Sequence, residues 1–216
     1  MTLFEERLGL EDYIPVLRSS FQIEDEPTIE FQMAGDALRK LLEDQSVMMR
    51  VLELLAHDIH FVREQATNLF NNEIVLWRDP DGSFSLRMAI WAEGADNFIH
   101  DHNATGVTGC WFGKLLIENY EIKEKISEDR VKLEMKDKHI LSPRNVVYIK
   151  MHDEGIHRID KAEGDFAISL SAYSRAVPRG YIRRFDAITG AVSRIHHPVR
   201  KQKEWAQSLL TLIEKG

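Results

Sequence analysis

His100 and His102, one residue apart, are the first place in this chain where residue types and spacing amount to chemistry. They fall in a segment, 98–104, that reads as a β-strand. Successive side chains of a strand point to opposite faces, so the two imidazoles share one face and Asp101 takes the other. Two imidazoles on one inward face make half a metal site. Neutral imidazole nitrogens buried without partners are costly, so an inward pair needs either a metal or other polar groups to satisfy it. The spacing alone leaves both open: half of a metal centre, or two hydrogen-bonded core or edge histidines. His57 and His60 lie three apart on a helical stretch with no third ligand type nearby, and read as a solvated face. His139, His196 and His197 read as loop or strand-end residues.

The elements around the pair divide the chain. Residues 1–72 read as helical, with stretches at 5–20 and 36–42 separated by a break at 24–27. A long helix follows over 46–69, where Met48, Val51, Leu52, Leu55, Ile59, Val62, Ala66 and Leu69 stripe one face and Ser46 supplies the N-cap. After Asn72 short runs of β-branched and aromatic residues alternate with turn residues. Strands are expected at 73–77, 84–91, 98–104, 107–112, 115–122, 131–135, 146–149, 156–159, 166–173, 181–185 and 192–195. Asp79-Pro80-Asp81-Gly82 carries the chemistry of a hairpin turn between the first two. Many short strands with frequent turns make a mainly β sandwich or barrel. A C-terminal helix over 197–216, striped by Trp205, Leu209, Leu212 and Ile213, is expected to pack on the barrel exterior. The whole chain, 1–216, is read as one domain, with 73–196 as the barrel and the first 72 residues as a lid or buttress.

Composition narrows the partners. A formal charge of -7 repels phosphate backbones and anionic lipid, and the mixed basic stretch at 194–203 reads as a solvated loop and helix start. No nucleic-acid or membrane partner is therefore expected. The one cysteine, Cys110, excludes an intrachain disulfide; with no signal-like apolar segment, a reducing cytoplasm is the expected location. An unpaired cysteine of this kind reads as a small buried hydrophobe.

Four ordered motifs spanning roughly 75–195 carry a resemblance. Trp91-Ala-Glu-Gly94, His100-Asp-His102, Gly106-Val-Thr-Gly109 and Gly113-Lys-Leu-Leu-Ile-Glu118 form the first; Asn145-Val-Val-Tyr148-Ile149 with Gly155-Ile-His157-Arg158-Ile159 form the second. Ser169-Leu-Ser171-Ala-Tyr173-Ser174 is the third, and Phe185-Asp186 with Thr189-Gly190 the fourth. In these the chain resembles the cysteine dioxygenase and 3-mercaptopropionate dioxygenase family of cupins. The resemblance implies an RmlC-like jelly roll (double-stranded β-helix) with one Fe(II) held by His100, His102 and His157, zinc or nickel being able to take the same site. It implies Tyr173 as the phenol near the metal, Ser169 as a member of the hydrogen-bond relay, and a small thiol and O2 as substrates converted to a sulfinate. Monomer and homodimer stay open. His152 is the only rival third ligand, and it lacks the preceding Gly-Ile context.

The departures from that family also carry expectations. Ser171 stands where the family has a histidine, so the relay behind Tyr173 must be shortened or bridged by water. Gly106 or Val107 stands where animal cysteine dioxygenases have a cysteine crosslinked to the tyrosine. The family's carboxylate-anchoring arginine aligns near Val75, where this chain has no arginine, which counts against cysteine itself as the substrate. Arg87 shares strand parity with Trp91, so both are expected to bind substrate if Trp91 lines the cavity, against the alternative of an exposed or snorkelling Arg87; Arg78, beside the turn, reads as solvated. Metal-dependent oxygenase or hydrolase action on a non-thiol, and a non-catalytic ligand-binding cupin, are the other functions weighed.

Overall fold

Local chemistry sets most element boundaries. The structure is a computed structural model that describes residues 8–21, 27–66, 68–198, 202 and 205–208. Among the described residues four helices precede the strands: α1 (Ile14–Ser20), α2 (Pro27–Glu43), α3 (Gln45–His57) and α4 (Ile59–Gln65). The break expected at 24–27 falls mainly outside the described residues, and α2 is longer than its apolar core foretold. The single helix expected over 46–69 is two, because Asp58 turns extended and its carboxylate accepts from the backbone N–H groups of His60 and Phe61, capping α4. Ile59 and Val62, counted in the apolar stripe, are accordingly exposed. The N-cap of α3 is Asp44 rather than Ser46; Asp44 accepts from the Ser46 N–H and hydroxyl.

Eleven strands follow among the described residues: β1 (Glu73–Arg78), β2 (Ser85–Trp91), β3 (Ile99–His100), β4 (Gly106–Phe112), β5 (Leu115–Ser127), β6 (Arg130–Leu141), β7 (Val146–Ile149), β8 (His157–Lys161), β9 (Ala167–Tyr173), β10 (Tyr181–Phe185) and β11 (Val192–His196). β3 is far shorter than the 98–104 run expected, since the chain leaves the ladder at Asp101 to satisfy that carboxylate. β5 and β6 run on into a long exposed hairpin, and His139 lies inside β6 rather than in a loop. All pairings are antiparallel, in two sheets of order β1-β2-β9-β4-β7 and β11-β10-β3-β8-β5-β6.

Period-2 alternation sorts the first sheet into two faces. Leu86, Met88, Val107, Trp111, Leu170 and Ala172 join Leu38, Leu41 and Val51 of the helices in one apolar cluster, so the helices buttress the outer face. Asp79 ties the two layers together: buried at the hairpin, it accepts from Trp77 Nε1 (2.9 Å), Ser83 Oγ (2.9 Å) and Arg18 of α1 (2.6 Å). The opposite face of the first sheet carries Arg87, Trp91, Ser169, Ser171 and Tyr173, which line a cavity of about 330 Å³ between the sheets. The far end of that interior is closed by Cys110, Leu115, Ile117, Leu141 and Ile159. Of the expected C-terminal helix, 205–208 are helical with Trp205 more than half exposed, while Leu209, Leu212 and Ile213 lie outside the described residues. No helix among the described residues is long and apolar enough to cross a membrane.

Candidate metal centre

The second sheet supplies all three imidazoles. His100 on β3 and His157 on β8 are direct cross-strand partners, so their side chains leave the sheet on the same face, and His102 follows two residues after His100. Their ligand nitrogens lie within 4.8 Å of one another, with His102 Nε2 and His157 Nε2 3.2 Å apart. Nitrogens bound to one divalent ion at about 2.1 Å each sit about 3 Å apart, so the His102–His157 separation fits a shared metal. His100 and His157 are buried and His102 is half-buried. Asp101, just beyond the end of β3, is outside the cluster, and no carboxylate belongs to it among the described residues.

The tautomer and charge of these rings also fit. His100 Nδ1 lies 2.9 Å from the Phe98 carbonyl, which can only accept, so Nδ1 carries the proton and Nε2 keeps its lone pair for a metal. Burial lowers the pKa of His100, and lowers those of His102 and His157 well below the ordinary imidazole value, with the neighbouring imidazoles adding repulsion at the last two. Neutral rings with free lone pairs are what a cation needs.

Behind the centre is a network the sequence did not announce. Asp101, fully buried, accepts from Arg179 Nη1 (2.8 Å) and Nη2 (2.7 Å) and from Arg183 Nε and backbone N–H (both 2.7 Å). Arg183 reaches on to Asp153 at 2.5 Å, in the 3-10 turn His152–Gly155 that leads into β8. His152 donates its backbone N–H to the His102 carbonyl at 3.0 Å, while its ring lies outside the imidazole cluster; His152 is not a third ligand. The glycine two residues before His157 has a steric reason: a Cβ on Gly155 would lie 1.8 Å from the Lys150 carbonyl oxygen. The only sequence signal for this clamp was an aspartate of opposite parity between two histidines.

The cavity holds the remaining expected residues. Tyr173 stacks on the His102 ring at 5.4 Å between centroids. Trp91 donates its Nε1–H to Ser169 Oγ at 2.9 Å, so Ser169 is bonded to the indole. Arg87 does turn inward, 5.7 Å from the Tyr173 ring centre, and its Nη1 lies 2.9 Å from both oxygens of Glu73. Glu73 lines the cavity and was not foreseen, although it shares β1 parity with Val75, which does not line it. Arg78 and His197 stand at the same cavity, Arg78 largely exposed. Cys110 is buried at the closed end, its thiol directed to the Phe112 and Gly113 carbonyls and its pKa pushed up to about 11 by burial. Gly106, not Cys110, pairs with Tyr173 across the ladder, which puts the thiol about 13 Å along the strand from that register.

Two facing antiparallel sheets, with a His-x-His segment and a third histidine converging between them, decide the architecture. The fold is a jelly roll. Among solved structures the chain is similar to a cupin-like protein of Thermotoga maritima, at 15% identity over 54% of this chain and 77% of that one with a TM-score of 0.38. It is similar to a sugar phosphate isomerase of the cupin superfamily from Silicibacter pomeroyi, at 15% identity over 58% and 78% of the two chains with a TM-score of 0.36. A DMSP lyase structure aligns at 15% identity and a TM-score of 0.36 over 53% of this chain, which spans only 52% of that protein's length. No family model matches the chain, and no curated protein matches it. Likenesses this distant carry no activity, which has to be argued from the site.

Proposed function

We propose that this cupin is an Fe(II)-dependent dioxygenase that converts a small thiol to its sulfinate. The observation that carries the reading is the phenol of Tyr173 stacked on His102, in the same cavity as three neutral imidazoles and no ligating carboxylate. His100, His102 and His157 would hold the iron. With three neutral ligands an ion held there would keep its full dipositive charge and would supply acidification of a thiol and activation of dioxygen.

The protein's own groups do the rest. The apolar walls from Phe70, Ala104 and Ile159 exclude water from the reacting sulfur. Tyr173 offers its O–H to oxygen next to that sulfur; burial raises the phenol's pKa, keeping the proton in place as a donor. Trp91, pinned by Ser169, forms a rigid wall against which the substrate carbon chain lies, and Arg87 meets its polar end with the part of the guanidinium that Glu73 leaves free. The net reaction adds both atoms of one dioxygen molecule to a thiolate sulfur, so no second oxidant or reductant enters.

Ser171 in place of the family histidine favours a second reading, a cupin that binds a ligand or oxidises a non-thiol. Oxygen uptake separates the two. Fe(II)-loaded protein given 3-mercaptopropionate, cysteamine and cysteine in turn is expected to consume one O2 per sulfinate formed with at least one of them. Silence with all three overturns the thiol reading and leaves the second.

A further inference from the structure

Three side chains on adjacent strands of the first sheet run in contact from β1 to the metal centre. Glu73 of β1 faces Ala89 of β2, two residues from Arg87, and Arg87 faces Ser171 of β9, two residues from Tyr173. Each is therefore the diagonal neighbour of the next on the cavity face, a separation of about 7–8 Å that long and aromatic side chains can bridge. Here they do. Arg87 Nη1 lies 2.9 Å from each Glu73 carboxylate oxygen, and the guanidinium carbon of Arg87 lies 5.7 Å from the centre of the Tyr173 ring. The same ring stacks on the His102 imidazole of the facing sheet, 5.4 Å away with 23° between the planes.

Glu73 is the group that fixes the guanidinium. The direct cross-strand partners of Arg87 do not: Val75 has no polar side-chain atom, and the Ser171 hydroxyl is bonded to that of Thr108 on β4 at 2.8 Å. The contact from Arg87 Nε to Ser85 Oγ is long, at 3.4 Å. The Glu73 side chain is 11% exposed and that of Arg87 26%, so the pair is largely withdrawn from water and its attraction is weakly screened. An arginine without such a carboxylate carries its charged head to solvent. Arg78 shows the contrast at the same cavity: it has no ion pair among the described residues, and it is largely exposed.

We propose that Glu73 is a positioning residue for Tyr173: it holds the Arg87 guanidinium against the phenol ring, so that the ring keeps its stack on His102 and its hydroxyl keeps its place in the cavity. The proposal rests on the reading of Tyr173 as the donor to the reacting oxygen. In this role Glu73 acts through Arg87 and needs no contact with substrate or metal.

The test is a double-mutant cycle read by fluorine NMR. 3-Fluorotyrosine in the Zn(II)-loaded protein reports five tyrosines, and the Tyr173 signal is the one missing from Tyr173→Phe. Glu73→Gln is expected to shift the Tyr173 signal and leave those of Tyr13, Tyr120, Tyr148 and Tyr181 in place. Arg87→Met is expected to shift it too, and adding Glu73→Gln to Arg87→Met to change nothing further, because residues that act in series are not additive. The double variant leaves neither charge of the pair without its partner. Glu73→Asp keeps the charge with a stem one methylene shorter; it serves as a second single variant should Glu73→Gln fail to fold, and its signal is expected to move part of the way. With Fe(II) and a thiol that the wild type oxidises, Glu73→Gln is expected to lower kcat about tenfold with KM within about twofold, and Glu73→Asp to recover part of that loss. A Tyr173 signal unmoved in the folded Glu73 variants, or moved just as far by Glu73→Gln when Arg87 is already replaced, overturns the proposal. Failure of the wild type to consume oxygen with any thiol counts against the proposed function only, because the fluorine cycle needs no turnover.

Discussion

The third ligand and the phenol make separable contributions. His157→Ala removes a nitrogen 3.2 Å from His102 Nε2 and is expected to abolish stoichiometric metal binding, read by elemental analysis of the reconstituted protein. Tyr173→Phe leaves all three imidazoles and is expected to keep the metal while losing turnover. Normal metal content in the His157 variant would mean that the ligand set is wrong. Asp101→Asn probes the clamp: it leaves Arg179 without a counter-charge and Arg183 with Asp153 alone, at a cost of about 3 kcal/mol in unfolding free energy. The same change frees the segment carrying His100 and His102, so metal affinity is expected to fall about tenfold or more in a competition titration with a chelator. Unchanged affinity in a folded Asp101 variant would reduce the network to a purely structural one.

At the scale of elements, the metal centre depends on a turn as much as on strands. The 3-10 turn His152–Gly155 is held by Asp153 to Arg183 and by the His152 N–H to His102, and it delivers His157 to β8 in register with His100. Gly155 permits the close approach to Lys150. Gly155→Ala therefore has to move backbone, and it is expected to lower stability by about 1–3 kcal/mol and to weaken metal binding with every ligand still present. Chemical denaturation with and without Zn(II) reads both effects; a variant that binds metal like the wild type shows that the turn does not set the position of His157.

For the molecule as a whole, the helical layer and the first sheet are joined through Asp79, and this joint has a pH signature. Burial alone would raise the Asp79 pKa, but hydrogen bonds from Trp77 and Ser83 and the Arg18 guanidinium outweigh it and hold the carboxyl below its ordinary value. A carboxyl depressed in the folded state stabilises fully above its unfolded value, near pH 4, and that contribution is lost as pH falls through the folded value. Asp79→Asn is expected to lower stability by about 2 kcal/mol at pH 7. The gap in melting temperature between wild type and variant should stay constant above about pH 5 and narrow below it, as followed by circular dichroism. A gap independent of pH down to 3 would assign the loss to shape rather than charge.

Much of the barrel was legible because strand alternation and turn chemistry are local: the 181–185 and 146–149 strands match to the residue, and the Asp79–Gly82 hairpin formed as its proline and glycine demand. His100 and His102 do converge as their spacing foretold, although β3 ends at His100 and His102 lies beyond it. Helix division at Asp58 was missed because an apolar stripe continues across a residue that caps the next helix as readily as it lies within one. The sequence by itself thus determined which residues face inward and which strands exist. Only the tertiary structure decided that His157 meets His100 across the sheet, that Glu73 answers Arg87, that Asp101 gathers two arginines, and that Thr108 bonds Ser171. Those partners come from strands far apart in the chain, and which strands become neighbours is fixed by the packing of both sheets at once rather than by the residues of either partner.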